Sequence, residues 1–156
     1  MKHRPYRQTL KNIIGSIAAV CVAAIPSACE LEASHNGKLD GMWHLERVDT
    51  LATGGVNDLS RKKLFWSFQG KLLQLDDKER LTEGFYMRFN HTADGILVLS
   101  EPYLNERTKG DEKIDSAERL APYAVNATEE QFAVEQLTNS SMTLKSETLR
   151  IRFTKF

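Results

Sequence analysis

The stretch that decides the fold class is LRIRFTKF at residues 149–156. Its apolar residues Leu149, Ile151 and Phe153 take every second position, and polar residues stand between them. Successive side chains of a β-strand point to opposite faces, so this period of two predicts a strand with one buried face. The segment Phe85–His91 repeats the same pattern. The sequence therefore predicts β-strands rather than helices at both places.

The chain from residue 42 onward divides into segments of similar length. Turn-forming residues separate most of them, and Asp94-Gly95 between two apolar runs is typical of a hairpin. A single segment, 111–120, has apolar residues at helical spacing, which predicts one short helix within the 103–123 loop. The predicted strands are Met42–Thr50, Leu64–Gly70, Lys71–Asp76, Phe85–His91, Ile96–Ser100, Phe132–Thr138, Met142–Ser146 and Leu149–Phe156.

Eight short strands in sequential order predict an all-β domain over residues 41–156. We expect an eight-stranded antiparallel up-and-down barrel, because closing the sheet removes the edges that short antiparallel strands would otherwise expose. A two-sheet β-sandwich is the alternative, since side-chain alternation is the same in both architectures.

The first 28 residues have the composition of an export signal. Four basic residues and no acid precede an apolar run at 13–25, which is shorter than the roughly 20 residues needed to span a bilayer. Pro26-Ser27-Ala28-Cys29 resembles the lipobox of bacterial lipoproteins. The resemblance implies that 1–28 is a lipoprotein signal peptide and that a lipid on Cys29 anchors the protein in the membrane. Ordinary secretion is the alternative. The polar segment 29–40 is predicted to be a flexible tether.

Charge argues against nucleic acid as a partner. The whole chain has 21 basic and 21 acidic residues, but removal of residues 1–28 leaves 17 basic against 21 acidic, a net charge of −4. Binding to phosphates requires a basic surplus, which this domain lacks.

The start of the first predicted strand, Gly41-Met42-Trp43, resembles the Gly-x-Trp motif of lipocalins. The order of signal peptide, tether and strands is similar to lipocalin-like domains of Bacteroidetes lipoproteins, which implies an outer-membrane lipoprotein on the periplasmic or surface face. In lipocalins the tryptophan closes one end of the barrel and a basic residue late in the last strand packs over its ring. The resemblance assigns that basic role to Arg150 or Arg152, and the barrel-closing motif to Gly41, Trp43, Arg150 and Arg152.

An eight-stranded barrel either fills its interior with side chains or holds one small ligand. If Trp43 points inward, strict alternation places Leu45 and Arg47 on the same face, and an inward Arg47 beside Asp49 could bind a carboxylate. In the alternative, the aromatic residues simply form the core. The predicted interior ligand-binding residues are Trp43, Leu45, Arg47, Phe65, Phe85 and Phe89.

The sequence contains no motif for catalysis or metal binding in the predicted domain. Its histidines lack a second ligand at a diagnostic spacing, and no Gly-x-Ser-x-Gly or glycine-rich phosphate loop is present. We therefore expect no enzyme activity, cofactor or metal. The predicted function is binding of a small hydrophobic or amphipathic ligand by a membrane-anchored envelope lipoprotein. The alternative is a non-catalytic envelope interaction module with a filled barrel, which binds a protein or glycan through surface loops around 103–123.

Overall fold

A computed structural model describes residues 34–106, 108, 110 and 112–156. The predicted signal peptide, Cys29 and residues 30–33 lie outside these described residues. The described chain forms a compact unit, Ser34–Phe156, built on one antiparallel sheet. Its strands are β1 Gly41–Thr50, β2 Val56–Asp58, β3 Leu64–Gln69, β4 Leu72–Asp77, β5 Phe85–His91, β6 Ile96–Leu104, β7 Glu130–Leu137, β8 Ser141–Lys145 and β9 Leu149–Lys155.

The sheet closes because its first long strand pairs with its last. β1 and β9 are antiparallel neighbours from Trp43↔Lys155 to Thr50↔Leu149, and β3 to β9 follow one another in sequence order. This confirms the eight-stranded up-and-down barrel. The additional strand, β2, pairs with the second half of β1 and was not predicted, because its three exposed residues show no apolar alternation.

A β-bulge in β1 reverses the direction of its side chains. Leu45 pairs with Phe153 of β9, but the next β9 residue, Arg152, pairs with Arg47, so Glu46 is an extra residue in β1. The buried positions of β1 consequently change from Trp43 and Leu45 to Val48. An inserted residue shifts a period-two pattern by one position. The prediction that Arg47 faces the interior is therefore wrong.

Aromatic side chains from several strands meet in the interior. Trp66 of β3 is fully buried, and its ring centroid lies 5.9 Å from that of Phe132 in β7 and 5.0 Å from that of Phe153 in β9. Phe68 and Phe89 make an edge contact at 5.0 Å. Aromatic pairs at such distances are favourable and leave little space between them. The barrel is a packed core where these rings lie.

Residues 34–40 cover one end of the barrel, which we call the Trp43 end. A short 3-10 helix, Gly37–Leu39, buries Leu39 completely. Asn36 Nδ2 donates to the Gly70 carbonyl at 2.8 Å, and the Gly70 N–H donates to Ser34 Oγ at 2.8 Å. These residues are thus part of the domain, and the prediction of a flexible tether is wrong for 34–40.

A second 3-10 helix, Ala117–Tyr123, covers the opposite end of the barrel; we call it the plug helix and this end the plug end. Two of its own residues, Leu120 and Tyr123, are fully buried. The Trp66 indole N–H donates to the Tyr123 carbonyl at 3.1 Å, which links the plug helix to the centre of the core. One short helix in the 103–123 loop is confirmed, although it begins later than the 111–120 spacing predicted.

Candidate functional site

Two contacts fix the position of the Trp43 side chain. Its ring is fully buried, and its indole N–H donates to the Leu39 carbonyl at 2.8 Å. Lys155, the last residue of β9, places Nζ 4.9 Å from the ring centroid and donates to the Lys38 carbonyl at 2.9 Å. A cation over an indole face is attracted by the electron-rich ring. The basic residue over this tryptophan is therefore Lys155.

Gly41 leaves room for that lysine. Its φ of +114° is unfavourable for residues with a side chain, and a Cβ at this position would lie 2.9 Å from Lys155 Cε. Any larger residue would strain the backbone and displace the lysine stem from its path to Trp43. Gly41 of the Gly-x-Trp motif thus begins β1 and also allows Lys155 to pack against Trp43.

Arg150 and Arg152 lie on the outer surface, so the prediction that either packs over Trp43 is wrong. Arg150 Nε donates to Glu135 Oε2 at 2.7 Å, while Arg152 Nη2 lies 3.4 Å from Asp49 Oδ2. Side chains alternate along β9, so Ile151 and Phe153 face the core and both arginines face away from it. Lys155 is the next residue of the inward-facing series. This alternation can be read from the sequence and identifies the lysine.

Arg47 belongs to the same outer cluster of charges. Its Nε donates to Asp49 Oδ1 at 2.6 Å, and its side chain is 41% exposed. The predicted pairing of Arg47 with Asp49 is thus present, but on the surface of the barrel. Two arginines, Arg47 and Arg152, pair with this one carboxylate on the outer surface, so none of the three groups forms an interior ligand site.

The predicted aromatic lining divides between the two faces of the sheet. Phe85 and Phe89 join Trp43 and Leu45 in the core. Phe65 is also buried, but it packs on the outer face of the sheet, with ring centroids 5.0 Å from His44 and 5.5 Å from Phe156. Its neighbours Leu64 and Trp66 face inward, so Phe65 must face outward. The prediction that Phe65 lines the interior is therefore wrong.

A half-open pocket of about 400 Å³ lies at the plug end, between the plug helix and the loops after β2 and β4. We call it the plug pocket. Polar side chains at its rim include Asn57, Lys62 and Asn126. Such a mixture of an apolar wall and a few polar groups is typical of small-molecule sites. The apolar residues of the wall are Val48, Leu59, Leu64, Leu81, Ala121, Pro122, Ala124 and Leu149.

Asp77 shapes the loop that forms one wall of this pocket. Its buried carboxylate accepts hydrogen bonds from the backbone N–H groups of Glu79, Leu81 and Thr82 at 2.9–3.0 Å, and from Thr82 Oγ1 at 2.9 Å. Burial raises the pKa of Asp77, but these hydrogen bonds outweigh it and hold the pKa below its usual value. With its oxygens occupied in this way, Asp77 organises the pocket wall.

Tyr123 and Arg119 hold the plug helix against the loop at Glu83. The Tyr123 hydroxyl donates to the Glu83 carbonyl at 2.8 Å, and burial raises the pKa of Tyr123 to about 12. Arg119 donates from Nε and Nη2 to the two carboxylate oxygens of Glu83, each at 2.9 Å. Forked guanidinium–carboxylate contacts fix orientation as well as distance. Several directional contacts therefore position the plug helix, whose Ala121 and Pro122 line the plug pocket.

The described residues contain no group of three or more His, Cys, Asp or Glu side chains placed to hold a metal ion. None of their helices combines the length and apolar character needed to cross a membrane.

Comparisons with known proteins agree with this architecture. A lipocalin-like protein from Bacteroides uniformis ATCC 8492 superposes with a TM-score of 0.57 at 20% identity, covering 77% of this chain and 100% of that chain. An uncharacterised protein from Bacteroides eggerthii DSM 20697 has a TM-score of 0.53 at 22% identity, covering 76% and 99% of the two chains. No curated protein matches the chain. The family model of the lipocalin-like domain matches residues 22–156, so the chain belongs to the lipocalin-like domain family.

Proposed function

We propose that this protein is a membrane-anchored lipoprotein of the bacterial cell envelope that binds a small hydrophobic or amphipathic molecule in the plug pocket, without catalysing a reaction. The observation that carries the proposal is the concave, largely aliphatic wall of about 400 Å³ at one end of a barrel whose interior is otherwise occupied by its own rings.

The plug pocket is suited to an amphipathic ligand of modest size. Its volume falls in the range of about 300–1,000 Å³ that is usual for small-molecule sites. Leu81 at its rim is 74% exposed, which leaves aliphatic surface in water. Covering such surface is favourable by roughly 25 cal/mol per Å². The polar side chains of Asn57, Lys62 and Asn126 lie where the hydrophilic part of a ligand would meet solvent.

The anchor and the envelope location rest on the sequence before the described residues. The basic start, the apolar run at 13–25 and the small residues before Cys29 support lipidation of that cysteine and retention at the outer membrane. Fractionation of cells tests this directly. Cys29→Ala should move the protein out of the membrane fraction, and its unchanged retention there would exclude Cys29 as the anchor.

Ligand binding is tested on the full-length protein extracted from its own host. Mass spectrometry under native conditions should detect a co-purifying small molecule. The variant Leu81→Lys should reduce its occupancy, because a charge would replace aliphatic surface at the pocket rim. Val56→Lys is the matched control, since Val56 is also an exposed aliphatic residue, at 56%, but lies on β2 and does not line the pocket.

A second candidate function follows from the packed interior. The contacts of Trp66 with Phe132 and Phe153 favour a filled barrel that acts as an interaction module through the loop between β6 and β7. A photo-crosslinking residue at Thr108, which is exposed in that loop, tests this candidate. Cross-linking to one defined envelope component, with no small molecule in the native mass spectrum, would favour the module over the ligand-binding protein.

A further inference from the structure

A second concavity, of about 360 Å³, lies on the outer face of the sheet across β4, β5 and β6. We call it the tyrosine pocket, because Tyr86 of β5 and Tyr103 of β6 lie side by side in it as directly paired residues. Side chains of such pairs start only about 4.5–5.5 Å apart at Cβ. Both phenol side chains therefore line the same concavity, and none of its lining residues belongs to the plug pocket.

Both tyrosines are available to a ligand. Each is partly exposed, and the described part of the chain supplies no hydrogen-bond partner for either hydroxyl. Within the same residues, no other ring and no cation stacks on them. A tyrosine that has an apolar face and an unused hydroxyl can contact the C–H groups of a ligand and also hydrogen-bond to it.

A β-bulge brings two charged groups to the rim of this surface. Tyr86 pairs with Tyr103, whereas Arg88 pairs with Ser100, so β6 has one residue more than β5 in this interval. Glu101 in the bulge has a φ of +50°, a conformation that is uncommon for residues other than glycine. Bulges redirect side chains, and this one sets Glu101 Oε2 4.0 Å from Arg88 Nε.

The charges indicate what kind of ligand fits. Arg88 and Glu101 are both more than half exposed and opposite in sign, so together they give the rim no net charge. An anion would be repelled by the carboxylate, and a purely apolar molecule that covered the pair would remove water from both ions without replacing its hydrogen bonds. A neutral molecule with several hydroxyl groups satisfies both, since hydroxyls accept from guanidinium and donate to carboxylate.

We propose that the tyrosine pocket binds a neutral saccharide, with a sugar ring against the phenol faces of Tyr86 and Tyr103 and its hydroxyls toward Arg88 and Glu101. The volume, near the lower end of the range for small-molecule pockets, is consistent with one or two sugar units. This site does not depend on a ligand in the plug pocket.

Saturation-transfer NMR on the full-length protein tests the proposal, in a detergent without a sugar headgroup. The probes are glucose, galactose, N-acetylglucosamine and lactose. We expect saturable binding of at least one of them, with a Kd of about 1 mM or below. Tyr86→Ala and Tyr103→Ala should each weaken it by about tenfold or more, because each removes one of the two phenol rings that line the pocket. Leu81→Lys, at the plug pocket, should leave it unchanged.

Glu101→Gly distinguishes a binding role from a structural one. Glycine adopts a positive φ without strain, so this variant should unfold at the same or higher temperature, while losing saccharide affinity with the carboxylate. Failure of all four probes to give saturable binding would overturn the proposal. So would binding that survives the substitution of both tyrosines in a protein that is folded by circular dichroism.

Discussion

The ammonium of Lys155 lies 4.9 Å from the centroid of the Trp43 ring and donates to the carbonyl of Lys38. This contact joins the first and last strands of the barrel with the segment that covers the Trp43 end. It also explains why Gly41 precedes the tryptophan by two positions, since the lysine stem passes over that glycine.

Replacing Lys155 with Met should lower the free energy of unfolding by about 1–2 kcal/mol. The variant keeps an apolar stem of similar length but loses the cation over the indole ring and the hydrogen bond to Lys38. Urea denaturation followed by circular dichroism measures the effect. Arg152→Met, on the outer face of the same strand, should change stability by less than about 0.5 kcal/mol. Equal losses in both variants would contradict the assignment of Lys155.

Gly41→Ala should be destabilising by about 1–3 kcal/mol, because it combines an unfavourable φ with a contact between Cβ and Lys155 Cε. Part of this loss should disappear in the Lys155→Ala background, where the contact no longer exists. A double-mutant cycle measures that coupling. Gly37→Ala is a suitable control, since Gly37 also has a positive φ but no atom within 4 Å of the added Cβ. Strict additivity of the two substitutions would refute the steric relationship.

Two adjacent aromatic residues of β3 should differ in their contributions to stability. Trp66→Ala empties the centre of the core and leaves the Tyr123 carbonyl unpaired, for an expected loss of about 3–5 kcal/mol. Phe65 is buried too, but Phe65→Ala should lower stability by about 3 kcal/mol or less, because its partner Phe156 is largely exposed and can move into the gap. Thermal unfolding of both variants provides the comparison. A larger loss for Phe65 would contradict its outward orientation.

Asp77 should make stability fall in acid. Its pKa is lower in the folded than in the unfolded chain, so its contribution is fully present above the unfolded pKa of about 3.9. The contribution disappears as the pH falls through the lower, folded pKa. Asp77→Asn should remove this part of the pH dependence and destabilise the protein at pH 7 by on the order of 2 kcal/mol. Urea midpoints between about pH 2 and 7 test both effects, because the range must reach below the unfolded pKa. A variant with the acid dependence of the natural protein would show that other carboxyl groups control it.

The strands could be predicted because a period of two is a local property of the sequence. Phe85–His91 was predicted with its observed bounds, and the Asp94-Gly95 turn joins β5 to β6 as expected. The alternation of β9 can likewise be read from the sequence. It places Lys155 on the inward-facing side with Ile151 and Phe153, whereas the arginines that the lipocalin resemblance implies lie on the opposite side.

The sequence by itself therefore determined the fold class, the strand order and most strand positions, because alternation and turn residues act over a few neighbouring positions. Only the tertiary structure decided where alternation changes phase. The extra residue Glu46 in β1 is recognisable only against its pairing with β9, and it moves Arg47 to the surface. Likewise, the packing of residues 34–40 and of the plug helix depends on contacts with Gly70 and Trp66, which are distant in sequence. Contacts between residues so distant in sequence produce no regular spacing of apolar residues, so the segments that make them cannot be predicted from such a pattern.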